Sequence, residues 1–432
     1  MSTAIAGNDT DGGGGPMRAL VLHPDIRSRP GRRPAEEALA EAVALAAALP
    51  DVAVVGAEVV GLPKVQPGRL FGTGKRDEIG ARIAAEEIGL VLIDGPVTPV
   101  QQRNLERDWK VKLLDRTGLI LEIFAARART REGVLQVELA ALSYQRTRLV
   151  RAWTHLERQR GGLGFVGGPG ETQIEADRRA IDTQILRLRR QLEKVVNTRA
   201  LHRAARRKVP YPVVALVGYT NAGKSTLFNR LTGAGVVAQD QLFATLDPTM
   251  RELALPANRR AILSDTVGFI SDLPTQLVAA FRATLEEVLE ADLICHVRDI
   301  AHPETEHQAA EVRSILSDLG VSPDVPVLEV WNKTDRLDPE AHHACQVRAA
   351  RDPALLPVSA LTGAGVAALL DTISERLDEA RSTAEVALDF ADGRRRAWLY
   401  EQGVVLSETR AETGPVLTVN WTRRQAERFA RL

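Results

Sequence analysis

Cysteine is almost absent from this chain of 432 residues, which contains only Cys295 and Cys345. Two isolated cysteines exclude a disulfide-built scaffold, and neither stands in a His/Cys cluster with the spacing of a metal site. We therefore expect both thiols to be small buried hydrophobic groups in a reducing compartment.

The sequence also lacks long apolar runs, and none reaches the roughly 18 residues that a membrane-spanning helix requires. Residues 1–16 contain Gly12–Gly15 and no apolar signal-peptide core, so we interpret them as a disordered tail. Neither end carries a lipidation motif, which disfavours a membrane-traffic switch. We expect a cytoplasmic monomer with no membrane span, and we leave association at the membrane periphery open.

Charge of neither sign is in excess overall, because 56 Lys/Arg balance 56 Asp/Glu. The distribution is uneven, since residues 127–208 contain 19 Lys/Arg against 8 Asp/Glu, a local net charge of +11. A solvated helix face is the plain explanation of such a run. The size of the excess, which is mostly arginine, and the glycine-rich stretch within it favour contact with nucleic acid.

The segment 213–226 has the most specific pattern in the chain. An apolar, β-branched run before Gly218 predicts a short buried strand. Gly218, Gly223, Lys224 and Ser225 then match G-x-x-x-x-G-K-[ST], the phosphate-binding loop. Backbone N–H groups of this loop point at a β-phosphate, Lys224 reaches the β- and γ-phosphates, and the Ser225 hydroxyl binds Mg²⁺. A helix that opens at Ser225 adds the positive end of its dipole.

Three later motifs follow predicted strands and complete a guanine-nucleotide site. Asp265 of DTVG places a carboxylate on the Mg²⁺ side. Asp335 of NKTD can accept hydrogen bonds from N1–H and the N2 amine of guanine, which adenine does not offer, and this disfavours a P-loop ATPase that acts on proteins. Ser359–Leu361 can present a backbone N–H to guanine O6. The GTP contacts expected from the four motifs are Gly218, Tyr219, Thr220, Asn221, Ala222, Gly223, Lys224, Ser225, Thr226, Asp265, Thr266, Val267, Gly268, Asn332, Lys333, Thr334, Asp335, Ser359, Ala360 and Leu361.

Alternating strand and helix patterns predict an α/β protein built around a P-loop G domain, with a mainly parallel sheet and helices on both faces, over residues 209–380. A small α/β domain (17–130) and a basic helical hairpin with a glycine-rich tip (131–208) precede it, and a small α/β domain (381–432) follows. The N-terminal strands are predicted at Ala19–Leu22, Val52–Val60, Leu90–Ile93 and Val111–Leu114, and the helices at Ala35–Leu49, Arg76–Ile88 and Val100–Trp109. The C-terminal strands are predicted at Val386–Phe390, Val404–Glu408 and Val416–Trp421, and the helix at Arg395–Glu401.

Two long helices with narrow apolar seams are predicted in the basic segment. Residues such as Leu135 and Leu139 in the first, and Ile181 and Ile185 in the second, recur at spacings of three and four. Neither seam can be buried alone, so we expect an antiparallel pair packed as in a coiled coil, with Gly161–Gly170 as its exposed tip. Such a basic hairpin can recognise the shape and phosphates of structured RNA.

The motif GTGK at Gly72–Lys75 stands at a predicted helix start, where a helix N-terminus can bind an anion. It departs from the phosphate-loop pattern, because Arg69 stands five residues before Gly74 and Arg76 replaces the Mg²⁺-binding hydroxyl. A tight turn or an RNA phosphate contact is the expected role. A second site, for an adenine nucleotide, stays open.

Six further segments are specific: FGTGK (71–75), RNLER (103–107), DRTGLIL (115–121), RTREGVLQVELA (129–140), GGPGETQIEADRR (167–179) and LFATLDPT (242–249). Together with the GTP motifs they resemble the HflX family of ribosome-associated GTPases over most of residues 70–370. Arg298 and Ile300 depart from the pattern, since the family usually has apolar and small residues there. The C-terminal domain is a looser match.

The resemblance implies a factor that docks on the large ribosomal subunit and, with GTP bound, helps to separate stalled or idle ribosomes. The family's hairpin tip is thought to reach toward the peptidyl-transferase region. Thr245 resembles the switch I threonine that closes on Mg²⁺ only when the γ-phosphate is present, and Asn221 resembles the asparagine with which related GTPases hold K⁺. The switch I contacts to nucleotide implied by the motif are Phe243, Ala244, Thr245, Leu246 and Asp247.

Catalysis lacks one expected group, because Ras-like enzymes orient the attacking water with a Gln directly after DxxG. The residue here is Phe269, which has no hydrogen-bonding side chain and which we expect to pack against the switch II helix. Because the water-orienting group is missing, we expect intrinsic hydrolysis to be slow and the ribosome to stimulate it. The alternative function is an RNA-binding factor in subunit assembly that uses GTP for timing with little turnover. The expected catalytic residues are Lys224, Thr245 and Gly268, and the expected Mg²⁺ ligands are Ser225, Thr245 and, through water, Asp265.

Overall fold

The structure, a computed structural model, describes residues 15–26, 33–159, 169–206, 211–233, 243, 249–271, 288–379, 381–411 and 414–430. The described residues form two compact units. The first contains those up to Lys194 together with Phe243, and the second contains the remaining ones from Val195 onward. Most of the predicted hairpin tip and the predicted switch I contacts Ala244, Thr245, Leu246 and Asp247 lie outside the described residues.

The N-terminal part of the first unit is built on a four-stranded parallel sheet. Its elements are β1 (Met17–Ile26), α1 (Ala35–Ala46), β2 (Val52–Leu62), α2 (Thr73–Ala85), β3 (Leu90–Ile93), α3 (Pro99–Trp109), β4 (Lys112–Asp115) and α4 (Arg116–Arg127). The strand order is β2-β1-β3-β4, and the core combines strand residues such as Leu20 with Phe71 and Trp109. The predicted strands and helices are confirmed, whereas α4 was absent from the prediction.

The GTGK motif forms the start of α2, as its glycines predicted. Gly72 is the N-cap residue, and Thr73 begins the helix. The Lys75 ammonium forms ion pairs with Glu58 and with Glu78, the second at 2.7 Å. The lysine of this motif is therefore already neutralised by two carboxylates of its own unit.

The basic segment forms the two long helices α5 (Arg131–Gln159) and α6 (Pro169–Arg206). An ion pair of 3.2 Å between Arg146 Nη1 and Asp182 Oδ1 joins them. Ile185 is 3% exposed whereas its neighbour Leu186 is 53% exposed, so the buried stripe on α6 is narrow. The predicted helix pair is thus confirmed for the part of the hairpin that the structure describes.

The second unit contains a six-stranded sheet with the order β10-β9-β8-β5-β7-β6, in which only the edge strand β6 runs antiparallel to its neighbour. Its elements are β5 (Val213–Gly218), α7 (Lys224–Thr232), β6 (Thr249–Leu255), β7 (Arg259–Asp265), β8 (Leu293–Asp299), α8 (Thr305–Asp318), β9 (Val327–Asn332), a 3₁₀ turn (Thr334–Arg336), α9 (Pro339–Ala349), β10 (Leu355–Pro357) and α10 (Val366–Glu379). Because β7 and β8 flank β5 on opposite sides, the strand order reverses at β5. Ligands of such sheets bind at the carboxyl end of the strands at this point.

Strand β8 contains a buried arginine, Arg298, at the position that departs from the family pattern. Its guanidinium contacts Glu329 Oε2 at 2.7 Å and Glu306 Oε1 at 2.8 Å, and it lies over the ring of Trp331 at 5.7 Å. These partners balance the buried charge, so β8 pairs normally with both neighbouring strands.

The C-terminal part of the second unit is a three-stranded antiparallel sheet with the order β11-β13-β12. Its elements are β11 (Arg381–Ala387), α11 (Gly393–Glu401), β12 (Val405–Ala411), β13 (Gly414–Thr422) and α12 (Arg423–Ala430), the last of which was not predicted. Cys295 and Cys345 are buried free thiols, as expected. Across the described ranges, no helix is long and apolar enough to cross a membrane.

Candidate nucleotide-binding site

The loop between β5 and α7 turns tightly at the switch point of the six-stranded sheet. A Cβ atom on Gly218 would lie 2.2 Å from the carbonyl oxygen of Val297, so only glycine allows this approach of β5 to β8. Gly223 has φ +92°, and a Cβ there would lie 2.2 Å from Asn332 Nδ2. Helix α7 then begins at Lys224, and its first N–H groups lack intrahelical partners, as an anion-binding helix N-terminus requires.

The ammonium of Lys224 lies inside this loop. Its Nζ donates to the carbonyl oxygens of Gly218 at 3.0 Å and Tyr219 at 2.8 Å. Burial lowers the pKa of Lys224 to about 8, although the carboxylate of Asp265 acts in the opposite direction. A buried ammonium with neutral carbonyl partners is suited to an anionic ligand such as phosphate.

The two predicted Mg²⁺ ligands that the structure describes, Ser225 and Asp265, lie side by side. Ser225 Oγ donates to Asp265 Oδ2 at 2.8 Å, so the start of α7 and the end of β7 meet. A hydroxyl and a carboxylate are the hard oxygen donors that Mg²⁺ prefers, and the pair fits this metal, which P-loop GTPases generally use. Ser225 would bind the ion directly and Asp265 through water. When bound, the metal would neutralise the negative charge that develops on the phosphates during hydrolysis.

The DTVG segment lies directly against the phosphate loop. Phe269 N donates to Gly218 O at 3.1 Å, and Phe269 O accepts from Thr220 N at 2.7 Å. The side chain of Phe269 is only 3% exposed. A Cβ on Gly268 would lie 3.0 Å from Thr220 Cα and 3.1 Å from Lys224 Nζ, so this glycine allows the close approach.

Asn332 joins the phosphate loop to the predicted guanine-binding segments. Its Nδ2 donates to Ala222 O at 2.8 Å, while its Oδ1 accepts from Ala360 N at 2.9 Å. Ser359 Oγ donates to Asp335 Oδ1 at 2.5 Å, which fixes the carboxylate expected to recognise guanine. NKTD, the 359–361 segment and the phosphate loop therefore form one hydrogen-bonded structure at the carboxyl edge of the sheet.

Two residues of NKTD have further partners. Lys333 Nζ contacts Asp299 Oδ2 at 2.7 Å, and this ion pair ties the motif to the end of β8. Thr334 Oγ1 donates to Val358 O at 3.0 Å, next to β10. The ends of three neighbouring strands are thus connected through one motif.

Two supports of the site were not predicted from the sequence. The guanidinium of Arg230 on α7 donates from Nε to Ala360 O at 3.1 Å and also to the carbonyl of Leu361. It therefore orients the backbone that is expected to face guanine O6. No local signal marks Arg230, because its partners lie more than a hundred residues away in the sequence.

The second unrecognised support involves Tyr219 of the phosphate loop. Its hydroxyl lies 2.6 Å from Ser271 Oγ and accepts from Ser271 N at 2.8 Å. Ser271 Oγ in turn donates to Glu311 Oε2 on α8 at 2.5 Å. These bonds hold the residues just after DTVG against the phosphate loop.

Phe243 is the one predicted switch I contact that the structure describes, and it belongs to the first unit. Its ring packs edge-on against Phe124 with a centroid distance of 4.6 Å, and its carbonyl oxygen accepts from Arg127 Nη1 at 2.5 Å. Burial lowers the pKa of Arg127. Contact between Phe243 and nucleotide stays a prediction.

The fold and these four motifs together define a P-loop GTPase. Family models match consecutive parts of the chain: "GTP-binding GTPase N-terminal" over residues 36–125, "GTP-binding GTPase Middle Region" over 127–206, "50S ribosome-binding GTPase" over 213–333 and "HflX C-terminal domain" over 344–432. GTPase HflX of Magnetococcus marinus is 52% identical over 84% of this chain and 83% of its own. GTPase HflX of Escherichia coli is 46% identical over 81% and 82%, respectively. The chain belongs to the HflX family of GTPases, and it hydrolyses GTP.

Among solved structures, the chain is similar to a GTP-binding protein from Sulfolobus solfataricus in complex with GDP. The two are 25% identical, with a TM-score of 0.46, over 84% of this chain and 99% of the other.

Proposed function

We propose that this GTPase binds the large ribosomal subunit in its GTP form and separates stalled or idle ribosomes. The observation that carries the proposal is the presence of a basic helical hairpin and a GTP site in one chain. Support also comes from the family model that matches residues 213–333, whose description is a 50S ribosome-binding GTPase. A ribosomal partner implies that the protein acts in the cytoplasm.

The hairpin has the charge and the exposure that RNA contact requires. Residues 127–208 have 11 more Lys/Arg than Asp/Glu, and α6 exposes Arg187, Arg189 and Arg190 to solvent. Arginines along a helix can bind the phosphates of a folded RNA without recognising its sequence. The hairpin is therefore suited to the rRNA of a ribosomal cleft.

A buried polar network anchors the base of the hairpin to the N-terminal sheet. Asp115, which caps α4 through Gly118 N at 2.8 Å, accepts from Tyr144 Oη at 2.6 Å and from Arg148 Nη1 at 3.0 Å. Arg148 also donates to Gln102 on α3. These bonds join α5 to the end of β4 and to α3.

GTP would act as the timing element through switch I. By its resemblance to the switch I threonine, Thr245 would bind Mg²⁺ when the γ-phosphate is present and would be released after hydrolysis, as in other GTPase switches. Lys224 and Gly268 complete the catalytic set, with Mg²⁺ on Ser225 and Asp265 and K⁺ beside Asn221. Residues 17–130 and 131–208 then form the ribosome-directed part, and 209–380 the GTPase.

Co-sedimentation with purified subunits tests the ribosomal partner. The protein, with GDP, GTP or a non-hydrolysable GTP analogue, is centrifuged with large or small subunits at increasing salt. We expect binding to large subunits in the GTP and analogue states, with a steep decrease in affinity as salt rises, because phosphate contacts release counterions. Equal binding to both subunits, or binding that is independent of nucleotide, would contradict the proposal.

A comparison of mature and precursor large subunits separates this function from the assembly alternative. A splitting factor binds the mature particle and turns over GTP on it many times. An assembly factor prefers the precursor and shows little turnover on mature subunits.

A further inference from the structure

The hydroxyl group of Thr220 is buried, and no described residue offers its Oγ1 a hydrogen-bond partner. The residue is only 6% exposed, and its backbone N–H is already bonded to Phe269 O. A buried hydroxyl without a partner is unfavourable, and valine would fill the same space without this penalty. The unpaired hydroxyl therefore indicates that its hydrogen-bond partner arrives with the ligand.

Thr220 lies where the reacting phosphate must be bound. It stands two residues after Gly218 in the phosphate loop, and its methyl group would lie 3.0 Å from a Cβ placed on Gly268. The same hypothetical Cβ would lie 3.1 Å from Lys224 Nζ. Thr220 thus shares a small space with the DTVG glycine and with the lysine that contacts the γ-phosphate.

Phe269 cannot supply the missing water-orienting group. Its ring is buried, and both its N–H and its carbonyl are bonded to the phosphate loop, so the backbone has no freedom to swing another group into the site. Hydrolysis of GTP nevertheless needs the attacking water to be held in line with the γ-phosphate.

We propose that the Thr220 hydroxyl orients the attacking water during GTP hydrolysis. Its oxygen accepts a hydrogen bond from the water, and its O–H group donates a hydrogen bond to an oxygen of the γ-phosphate while keeping its proton. The water oxygen then bonds to the γ-phosphorus, the bond from that phosphorus to the β–γ bridging oxygen breaks, and the water proton passes to the phosphate released. Thr220 is unchanged at the end of the cycle. This role rests on GTP hydrolysis and is independent of the ribosomal partner.

Single-turnover hydrolysis at saturating GTP, without ribosomes, tests the role. Thr220→Val keeps the shape and removes the hydroxyl, whereas Thr220→Ser keeps the hydroxyl and removes the methyl group. We expect Thr220→Val to hydrolyse GTP about 10- to 100-fold more slowly than the wild type, as for the loss of one hydrogen bond to a charged group in the transition state. Thr220→Ser should stay close to the wild type, and both variants should bind GDP with unchanged affinity.

Ser374→Ala is the matched control, because Ser374 also has a buried hydroxyl without a partner among the described residues and lies on α10, outside the motifs. It should hydrolyse GTP at the wild-type rate. GDP binding reports whether each variant is folded, and Thr220→Ala replaces Thr220→Val if the latter does not bind GDP. Wild-type hydrolysis by the variant without a hydroxyl would overturn the proposal, and so would an equal loss in Thr220→Ser.

Discussion

Ser225 on α7 and Asp265 at the end of β7 share a hydrogen bond of 2.8 Å from Oγ to Oδ2. The two residues are 40 positions apart in the sequence, and the pairing of β5 with β7 brings them together. Each is the predicted Mg²⁺ ligand of its motif, so the strand pairing brings the two predicted ligands together from separate segments of the chain.

Removal of the serine hydroxyl should abolish the effect of Mg²⁺ on nucleotide affinity. For the wild type, we expect EDTA to weaken the binding of a non-hydrolysable GTP analogue, because Mg²⁺ connects Ser225 to the phosphates. For Ser225→Ala, affinities with and without EDTA should coincide. Thr372→Ala, which removes a hydroxyl bonded to Ala368 O on α10, is the control and should respond to EDTA as the wild type does. A full Mg²⁺ effect in Ser225→Ala would contradict the ligand assignment.

Guanine specificity should depend on Asp335. In Asp335→Asn the affinity for GTP should fall, because each lost hydrogen bond to a charged group costs about 1.5–3 kcal/mol. Affinity for a xanthosine nucleotide should rise, since the amide can donate to the oxygen at C2 of that base. Competition titrations with the two nucleotides measure both effects. Asp338→Asn, three residues later at the exposed N-cap of α9, is the control and should keep GTP preference. Wild-type GTP affinity in Asp335→Asn would show that NKTD does not read the base.

Potassium should stimulate hydrolysis more than sodium, and the side chain of Asn221 should be needed for the difference. Asn221 is exposed in the phosphate loop with φ 59°, a conformation that glycine adopts without strain and alanine does not. Asn221→Gly therefore removes the amide while it preserves the backbone. Steady-state hydrolysis in KCl and NaCl should differ for the wild type and coincide for this variant. A K⁺ effect that survives in Asn221→Gly would exclude the amide as the ligand.

Mild acid should destabilise the G domain through His296 on β8, which is 2% exposed. Burial, with Arg298, Arg313 and Lys224, lowers the pKa of His296 to about 4 although Glu329 opposes the shift. Between pH 6.5 and 4 the unfolded chain therefore binds a proton that the folded domain does not, so stability falls as pH decreases, by up to about 3 kcal/mol.

Urea unfolding of the G domain at pH 7 and pH 5 measures the effect of His296. His296→Leu should lose less stability than the wild type between the two values. His343→Leu, at an exposed position on α9, should retain the wild-type difference. An identical loss in wild type and His296→Leu would assign the acid sensitivity to other groups.

The GTP site was largely predictable from the sequence, because each motif is short and the carboxyl ends of parallel strands meet at one edge. Asp265 and Asn332 both lie where this rule places them. Arg230 was not predictable, since its contacts to Ala360 and Leu361 arise only when α7 packs beside the distant 359–361 segment.

Helix α4 was missed for a different reason. Most of its residues are buried, including Leu119, Ile120, Leu121, Ile123 and Phe124. The segment therefore lacks the periodic polar residues by which an amphipathic helix is recognised in a sequence. The sequence did offer one signal, the N-cap residue Asp115, whose side chain accepts a hydrogen bond from Gly118 N three residues later.

Separation of intact ribosomes is the most direct test of the central claim. Ribosomes are mixed with the protein and GTP, GDP or a non-hydrolysable analogue, and the products are resolved on a sucrose gradient. We expect GTP and the analogue, but not GDP, to convert intact ribosomes into free subunits, and a variant with residues 161–170 replaced by a short neutral linker to bind GTP without doing so. Conversion that is equal with GDP, or that persists in the linker variant, would contradict a GTP-switched factor that acts through its hairpin.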